Sequence, residues 1–124
     1  MKVLLSIKPE YAEKILTGEK IYEFRKRIPK LINAKSCIIY ATMPVGMIVG
    51  EFKIEKYISG KPDKIWDITS EKSGITEEFF REYFDGYELA HAIKVKSVKR
   101  YKKARSIDTM LPSGVAPQSF CYVD

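Results

Sequence analysis

The residues of this sequence that can do chemistry are concentrated in one segment, Gly18 to Arg25, which reads GEKIYEFR. Glu23 and Arg25 are two positions apart, so their side chains share one face of a strand, and Arg27 continues the row. Lys20 has the opposite parity and joins them only from the turn after Gly18 or at a bulge. Such a cluster can bind a phosphate or a base edge, and its carboxylate can orient the cations or transfer a proton. The alternative is an ordinary ladder of surface ion pairs.

Other catalytic chemistry has little support in the sequence. His91 is the single histidine and stands between two alanines in an apolar strand pattern, which favours a packed residue over a catalytic one. Cys37 and Cys121 lie in apolar surroundings and are expected to be reduced core residues rather than redox groups or nucleophiles. No glycine-rich phosphate loop is present, which argues against an ATPase or a kinase. We expect no metal site and no cofactor.

The charge of the chain is unevenly distributed. The 124 residues carry a formal net charge of +6. Residues 20–35 contain six basic residues and one acid, residues 94–105 contain seven basic residues and no acid, and residues 51–88 are acidic overall. If the two basic blocks converge, they form a positive face suited to a nucleic-acid backbone, with Arg100, Lys102 and Lys103 as candidate contacts. The alternative is a pair of strand edges protected by lysine.

The elements that position these residues can be predicted from periodicity and turn signals. They are strands over 2–8, 20–27, 36–41, 47–57, 87–101 and 118–123, a helix from Pro9 to Leu16 that ends at Gly18, a helix over 62–69, and a helix from the cap Thr76 to Gly86. Along 47–57, Ile48, Gly50, Phe52 and Ile54 are expected to share one face. Loop 105–117 is predicted to be irregular and is a candidate lid.

The resulting order is β-α-β-β-β-α-α-β-β without regular βαβ alternation. It predicts a single α+β domain over residues 1–124, a small mixed and mostly antiparallel β-barrel with peripheral helices. Phe79, Phe80, Tyr83 and Phe84 form an aromatic stripe that is expected to pack in the core, the alternative being a platform for stacking bases. No apolar run is long enough to span a bilayer and no signal peptide is apparent, so a cytoplasmic protein without membrane contact is expected.

The segment around Lys20 also resembles a known family. Gly18, Lys20, Glu23 and Arg25 match the G-x-K-x-x-E-x-R signature of the ASCH domain, a member of the PUA-like superfamily. Residues 6–9, 40–46 and 117–120 look like the same family, so the resemblance covers essentially the whole chain. It implies a PUA-like small β-barrel with a cleft lined by the signature residues, linked mainly to RNA. A role in transcription or translation control is part of that expectation, although this chain has no room for the helix-turn-helix of some relatives.

Two functions remain open from the sequence. The first is a module that binds RNA or another nucleic acid and holds a nucleotide or single-stranded segment in the cleft. Its candidate contacts are Lys20, Glu23, Arg25 and Arg27 and the hydroxyls of Thr42 and Ser119, with segments 42–46 and 117–119 at the rim. Tyr22 and Tyr101 are either stacking partners or packed residues.

The second is an RNA-directed hydrolase, either a ribonuclease or a modified-nucleoside amidohydrolase, in which Lys20 and Glu23 are catalytic. The amidohydrolase branch of the family carries a threonine at the position of Glu23. Its hydroxyl nucleophile is therefore missing here.

Overall fold

The structure is a computed structural model that describes residues 2–27 and 34–123. Its strands are β1 (Lys2–Ile7), β2 (Tyr22–Arg25), β3 (Ser36–Ala41), β4 (Met47–Gly60), β5 (Ala90–Arg105) and β6 (Phe120–Val123), and its helices are α1 (Pro9–Thr17), α2 (Pro62–Thr69) and α3 (Glu77–Tyr83). Short 3-10 turns follow at Ser70–Lys72 and Ile107–Thr109. The order of strands and α-helices is the one predicted from the sequence.

The strands form one six-stranded sheet in the order β2-β5-β4-β3-β1-β6. Only β1 and β3 run parallel, and the other neighbours pair antiparallel. The predicted mixed, mostly antiparallel α+β fold is confirmed. The barrel is a loose one, because no backbone ladder joins the edge strands β2 and β6 in the described part of the chain.

Local sequence signals explain where α1 and β2 begin and end. Pro9 occupies the first turn of α1, where its missing N–H costs nothing, and Gly18 ends the helix with φ 89°. The backbone N–H of Lys20 then donates to the carbonyl of Lys14. Lys20 therefore belongs to the turn that ends the helix. The strand β2 starts at Tyr22, two residues later than the predicted start at residue 20.

The long strand β4 contains a bulge that was not predicted from the sequence. Ile39 pairs with Gly50 while Tyr40 pairs with Ile48, so Val49 is an extra residue. An extra residue reverses the alternation of the strand. The expectation that Ile48 shares a face with Phe52 is therefore wrong, because the two residues pack in different core clusters.

Three apolar clusters hold the fold together. One packs α1 against β1, β3 and Phe52, the second packs α2 and α3 against β2 and β5, and the third lies around Leu4, Ile38 and Tyr101. Ile107, Met110 and Leu111 pack against the third cluster. Most of the predicted loop 105–117 therefore covers one side of the sheet instead of acting as a lid. None of the described helices is long and apolar enough to cross a membrane.

Candidate functional site

A cleft of about 390 Å³ lies where α1, β2 and α3 meet. One wall carries Lys20, Glu23 and Arg25, and the facing wall is aromatic. The remaining lining residues are Ser6, Ile7, Lys8, Tyr11, Phe24, Thr42, Ile75, Phe79, Tyr83 and Gln118. Its size and its mixture of apolar walls with a few converging polar groups are typical of small-ligand sites.

Lys20 is a buried cation at the base of this cleft. Its side chain is 2% exposed, and its Nζ donates a hydrogen bond of 2.5 Å to the carbonyl of Ser73. The ammonium also lies 4.8 Å from the ring centroid of Phe24 and 5.5 Å from that of Tyr11. Among the described residues, no carboxylate lies within ion-pair distance of Nζ. A buried charge without a paired counter-charge is costly and is characteristic of functional sites.

Burial lowers the pKa of Lys20 from 10.5 to about 8. The nearby charge of Glu23 opposes this change, whereas Lys14 and Arg25 add to it. At pH 7 the side chain is still mostly protonated, with roughly a tenth in the neutral form. Lys20 can therefore donate or release a proton near neutral pH, which an ordinary lysine does not do.

The segment between α2 and α3 covers the aliphatic part of the Lys20 side chain. Gly74 has φ 71°, and a Cβ at this position would lie 2.6 Å from the Cβ of Lys20. The Nζ of Lys14 donates to the carbonyl of Gly74 at 3.2 Å, which ties this segment to α1. Sequence reasoning missed Ser73 and Gly74, although the Ser-Gly pair between two helices is a recognisable turn signal.

Glu23 and Arg25 form a buried ion pair beside Lys20. The Nη2 of Arg25 lies 2.9 Å from the Oε2 of Glu23, and both side chains are 9% exposed. The same nitrogen donates to the carbonyl of Ser6 at 2.9 Å, and Nη1 donates to the Oγ of Ser119 at 3.2 Å. Arg25 thus links edge strand β2 to β1 and to the residue before the other edge strand, β6.

Two polar atoms of this pair have no hydrogen bond within the described residues. The buried Nε of Arg25 has no partner there. Of the two carboxylate oxygens of Glu23, only Oε2 accepts a bond in the described part of the chain. The second oxygen of Glu23, Oε1, is therefore an acceptor that the described residues leave unpaired, whereas the Arg25 Nε is unpaired but covered.

Several residues predicted from the sequence lie at this cleft and others do not. Thr42 lines it, and Ser119 contacts Arg25. Tyr22 lies elsewhere because the strand alternates: it is 8% exposed and packs with the α2 and α3 core. Tyr101 is buried in the third cluster, with the Arg105 guanidinium 4.2 Å from its ring centroid. Neither tyrosine can stack on a nucleotide in the cleft, so these two predictions are wrong.

The predicted basic face is not brought to the cleft. Arg100 pairs with Glu13 on α1 at 2.6 Å, and Lys94 pairs with Glu55 at 3.1 Å. Lys102 and Lys103 lie exposed on β5, and neither they nor Arg27 lines the cleft. Part of the first basic block, residues 28–33, lies outside the described residues. Convergence of the two blocks therefore stays a prediction.

The aromatic stripe divides into two pairs. Phe80 and Phe84 are buried, whereas Phe79 and Tyr83 are half-buried and line the cleft. The rings of Phe79 and Tyr83 lie 6.2 Å apart and within 13° of parallel. The expected core packing is confirmed for Phe80 and Phe84, and Tyr83 packs against their cluster. Phe79 and Tyr83 also stay partly open to the cleft, because residues four apart share one helix face and these two share the face next to the buried one.

His91 and Cys37 do not line the cleft. His91 lies half-buried on β5, where the Nδ1 of its ring is 2.7 Å from the Oγ of Ser59, and burial lowers its pKa. Cys37 is buried, and burial raises the pKa of its thiol, so that the reactive thiolate is disfavoured.

Comparison with known proteins places the chain in a family. The ASCH domain pattern matches residues 5–103. An ASCH domain-containing ribonuclease of Zymomonas mobilis is 33% identical over 95 residues, which make up 77% of this chain and 64% of that protein. The chain belongs to the ASCH domain family. The crystal structure of ASCH from Zymomonas mobilis superposes with a TM-score of 0.90 at 28% identity and covers 99% of this chain and 87% of its own.

More distant matches also span most of this chain. The large ribosomal subunit protein uL22 of Ureaplasma parvum is 28% identical over 117 residues, 90% of this chain but 37% of its own length. The N-terminal domain of McrB from Staphylothermus marinus has a TM-score of 0.54 at 10% identity over 87% of this chain and 77% of its own, a likeness of fold alone.

Proposed function

We propose that this ASCH domain binds single-stranded RNA, holds one nucleotide in the cleft, and cleaves the adjoining phosphodiester bond. The observation that carries the proposal is Lys20, a buried ammonium with a pKa of about 8 and no carboxylate within ion-pair distance in the described structure. A phosphate group would supply the missing counter-charge. The relative named as an ASCH domain-containing ribonuclease supports RNA as the substrate.

The groups present can perform a transesterification with the ribose 2′-hydroxyl as the nucleophile. The carboxylate of Glu23 accepts the 2′-hydroxyl proton, and the 2′-oxygen forms a bond to phosphorus. The bond from phosphorus to the 5′-oxygen of the next nucleotide breaks, and Lys20 donates its proton to that oxygen. The products are a 2′,3′-cyclic phosphate and a 5′-hydroxyl end. Arg25 positions Glu23 by binding one of its oxygens at 2.9 Å.

A second candidate is an RNA-binding module that does not cleave. This candidate is favoured because segments similar to this chain occur within longer proteins that have different names. The matched part is 37% of the uL22 protein and 15% of an ATP synthase subunit alpha of Ureaplasma parvum. A unit that is added to such different chains suits a binding role.

Binding and cleavage can be separated in one experiment. Fluorescent single-stranded RNA is titrated with protein, and the same RNA is incubated with a hundredth of its concentration of protein, using wild type, Lys20→Met, Glu23→Gln and the control Lys53→Met. Lys53 is an exposed lysine on β4 and does not line the cleft. We expect Lys20→Met to weaken binding and to abolish cleavage, Glu23→Gln to abolish cleavage, and Lys53→Met to do neither.

Each alternative has its own result in this experiment. RNA that binds through Lys20 but stays intact when it is present in large excess over the protein would favour the RNA-binding module that does not cleave. RNA that does not bind at all, or that binds equally well to Lys20→Met, would contradict both. Circular dichroism of every variant verifies that the fold is kept.

A further inference from the structure

A row of aromatic rings and lysines leads from the cleft to the surface along α3. Phe79 and Tyr83 line the cleft, and Tyr87, in the turn after α3, is 44% exposed. The ammonium of Lys8 lies 5.7 Å from the ring centroid of Phe79. The ammonium of Lys26 lies 4.7 Å from the ring centroid of Tyr83 and 5.2 Å from that of Tyr87. Lys26 therefore joins the last ring of the cleft to a ring outside it.

The lysines of this row are not engaged with acids. In the described part of the chain, neither Lys8 nor Lys26 has a carboxylate within ion-pair distance. Glu78 and Glu82 on α3 each precede a ring residue by one position and so lie about 100° around the helix axis from it. Glu77 is paired with Arg81 at 3.2 Å. The row is consequently an aromatic ridge whose two lysines have no acid partner in the described part of the chain.

Alternation of exposed rings with cations is the pattern with which proteins hold single-stranded nucleic acids. Every base has a flat face that stacks on an aromatic ring, and the phosphates between the bases contact lysine or arginine. A duplex cannot use such a surface, because its bases are already stacked on one another. The ridge is therefore suited to a strand and not to a double helix.

We propose that Tyr83, Lys26 and Tyr87 form a track for the nucleotides that adjoin the one in the cleft. This inference rests on the proposed function, because it assigns a direction to the strand whose nucleotide enters the cleft. A base stacks on Tyr87, the ammonium of Lys26 contacts the phosphate between that base and the cleft, and Tyr83 borders both. The ligand is accordingly a strand of several nucleotides and not a free nucleoside or nucleotide.

Oligonucleotide length tests the track. The probes are fluorescent 2′-O-methyl RNA hexamers without secondary structure, which lack the nucleophilic hydroxyl, a hexamer duplex, and unlabelled nucleoside 5′-monophosphates as competitors. The proteins are wild type, Tyr87→Leu, Lys26→Met, Lys20→Met and the control Lys53→Met. Leucine at position 87 keeps an apolar side chain but has no ring to stack on.

We expect Tyr87→Leu to weaken binding of the single-stranded hexamer by about fivefold to a hundredfold, the range given by the loss of one stacked base. Lys26→Met should weaken it as well and flatten the dependence of log K on log salt by about 0.7. The losses should appear with the hexamer and not with the monophosphates or the duplex, and Lys53→Met should bind like wild type.

The possible failures are distinguishable. If Lys20→Met weakens hexamer binding while Tyr87→Leu and Lys26→Met leave it unchanged, the track is refuted and the cleft function stands. Equal losses with duplex and single strand would also refute the track, because they indicate a general effect of charge or folding. If wild type binds no hexamer, the proposed function itself fails, and the track fails with it.

Discussion

Replacing Lys20 with methionine should change how the stability of the protein depends on pH. Methionine fills nearly the same space but carries no proton to lose. In the native state the pKa of Lys20 is about 8, against 10.5 for an exposed lysine. The unfolded chain therefore binds more protons than the folded one between these two values. The free energy of unfolding of the wild type must rise with pH across that window, and the methionine variant lacks this contribution.

The size of the effect follows from the two pKa values. Their difference corresponds to about 3 kcal/mol, at 1.36 kcal/mol for each pKa unit, and all of it opposes folding below pH 8. From pH 7 to pH 10 the wild type should gain about 2.5 kcal/mol relative to Lys20→Met. At any single pH the comparison also contains the loss of the hydrogen bond to the Ser73 carbonyl, which leaves a buried acceptor at a cost of about 1–3 kcal/mol. The change with pH is free of that contribution.

Urea unfolding followed by circular dichroism at pH 7, 8, 9 and 10 measures this change. Lys53→Met, which makes the same substitution at an exposed site on β4, is the matched control. Parallel pH profiles for wild type and Lys20→Met would refute the reasoning, because they would mean that Lys20 titrates like an exposed lysine. The proposed proton donation near neutral pH would then lose its physical basis.

Two further pairs of substitutions test how the site is built. Gly74→Ala should cost at least about 2 kcal/mol in urea unfolding, because it combines φ 71° with a Cβ 2.6 Å from that of Lys20. Gly18→Ala, with φ 89° but no atom within 4 Å of its new Cβ, should cost only about 1 kcal/mol. Equal losses would show that the Lys20 side chain moves aside without cost. Arg25→Met should cost about 3–5 kcal/mol by leaving the Glu23 carboxylate buried without its partner, and adding Glu23→Gln should recover part of the loss. A double variant as unstable as the sum of the two single variants would contradict the coupling.

The sequence predicted the elements and the signature residues because those depend on local signals. Pro9, Gly18 and Thr76 mark helix ends through backbone chemistry that is the same in any fold, and the structure has Thr76 accepting a bond from the N–H of Phe79. The burial of Lys20 could not be predicted, since it depends on Gly74, 54 positions further along the chain. The separation of Ile48 from Phe52 depends on the bulge at Val49, for which the sequence offers one signal, the glycine inside the strand at position 50.

The aromatic stripe shows a similar limit. Helical spacing indicates that Phe79, Phe80, Tyr83 and Phe84 lie on one broad side of α3, but only the position of α1 and β2 decides which of them remain partly open. The misassignment of Tyr22 has the opposite origin. Strand alternation already places the side chain of Tyr22 on the face of β2 opposite to Glu23 and Arg25. Tyr22 is buried like the other two because α2 and α3 cover its own face of the strand.

The pH dependence of RNA cleavage is the measurement that bears most directly on a catalytic Lys20. The ratio kcat/KM for a single-stranded RNA should be determined between pH 6 and pH 10 with wild type and with Lys20→Arg, which keeps a charge but cannot release a proton in this range. If Lys20 donates the proton, the wild-type rate falls about tenfold for each pH unit above a pKa of about 8, and Lys20→Arg is inactive throughout. A rate that keeps rising through pH 9, or a Lys20→Arg variant as active as wild type, would contradict this role.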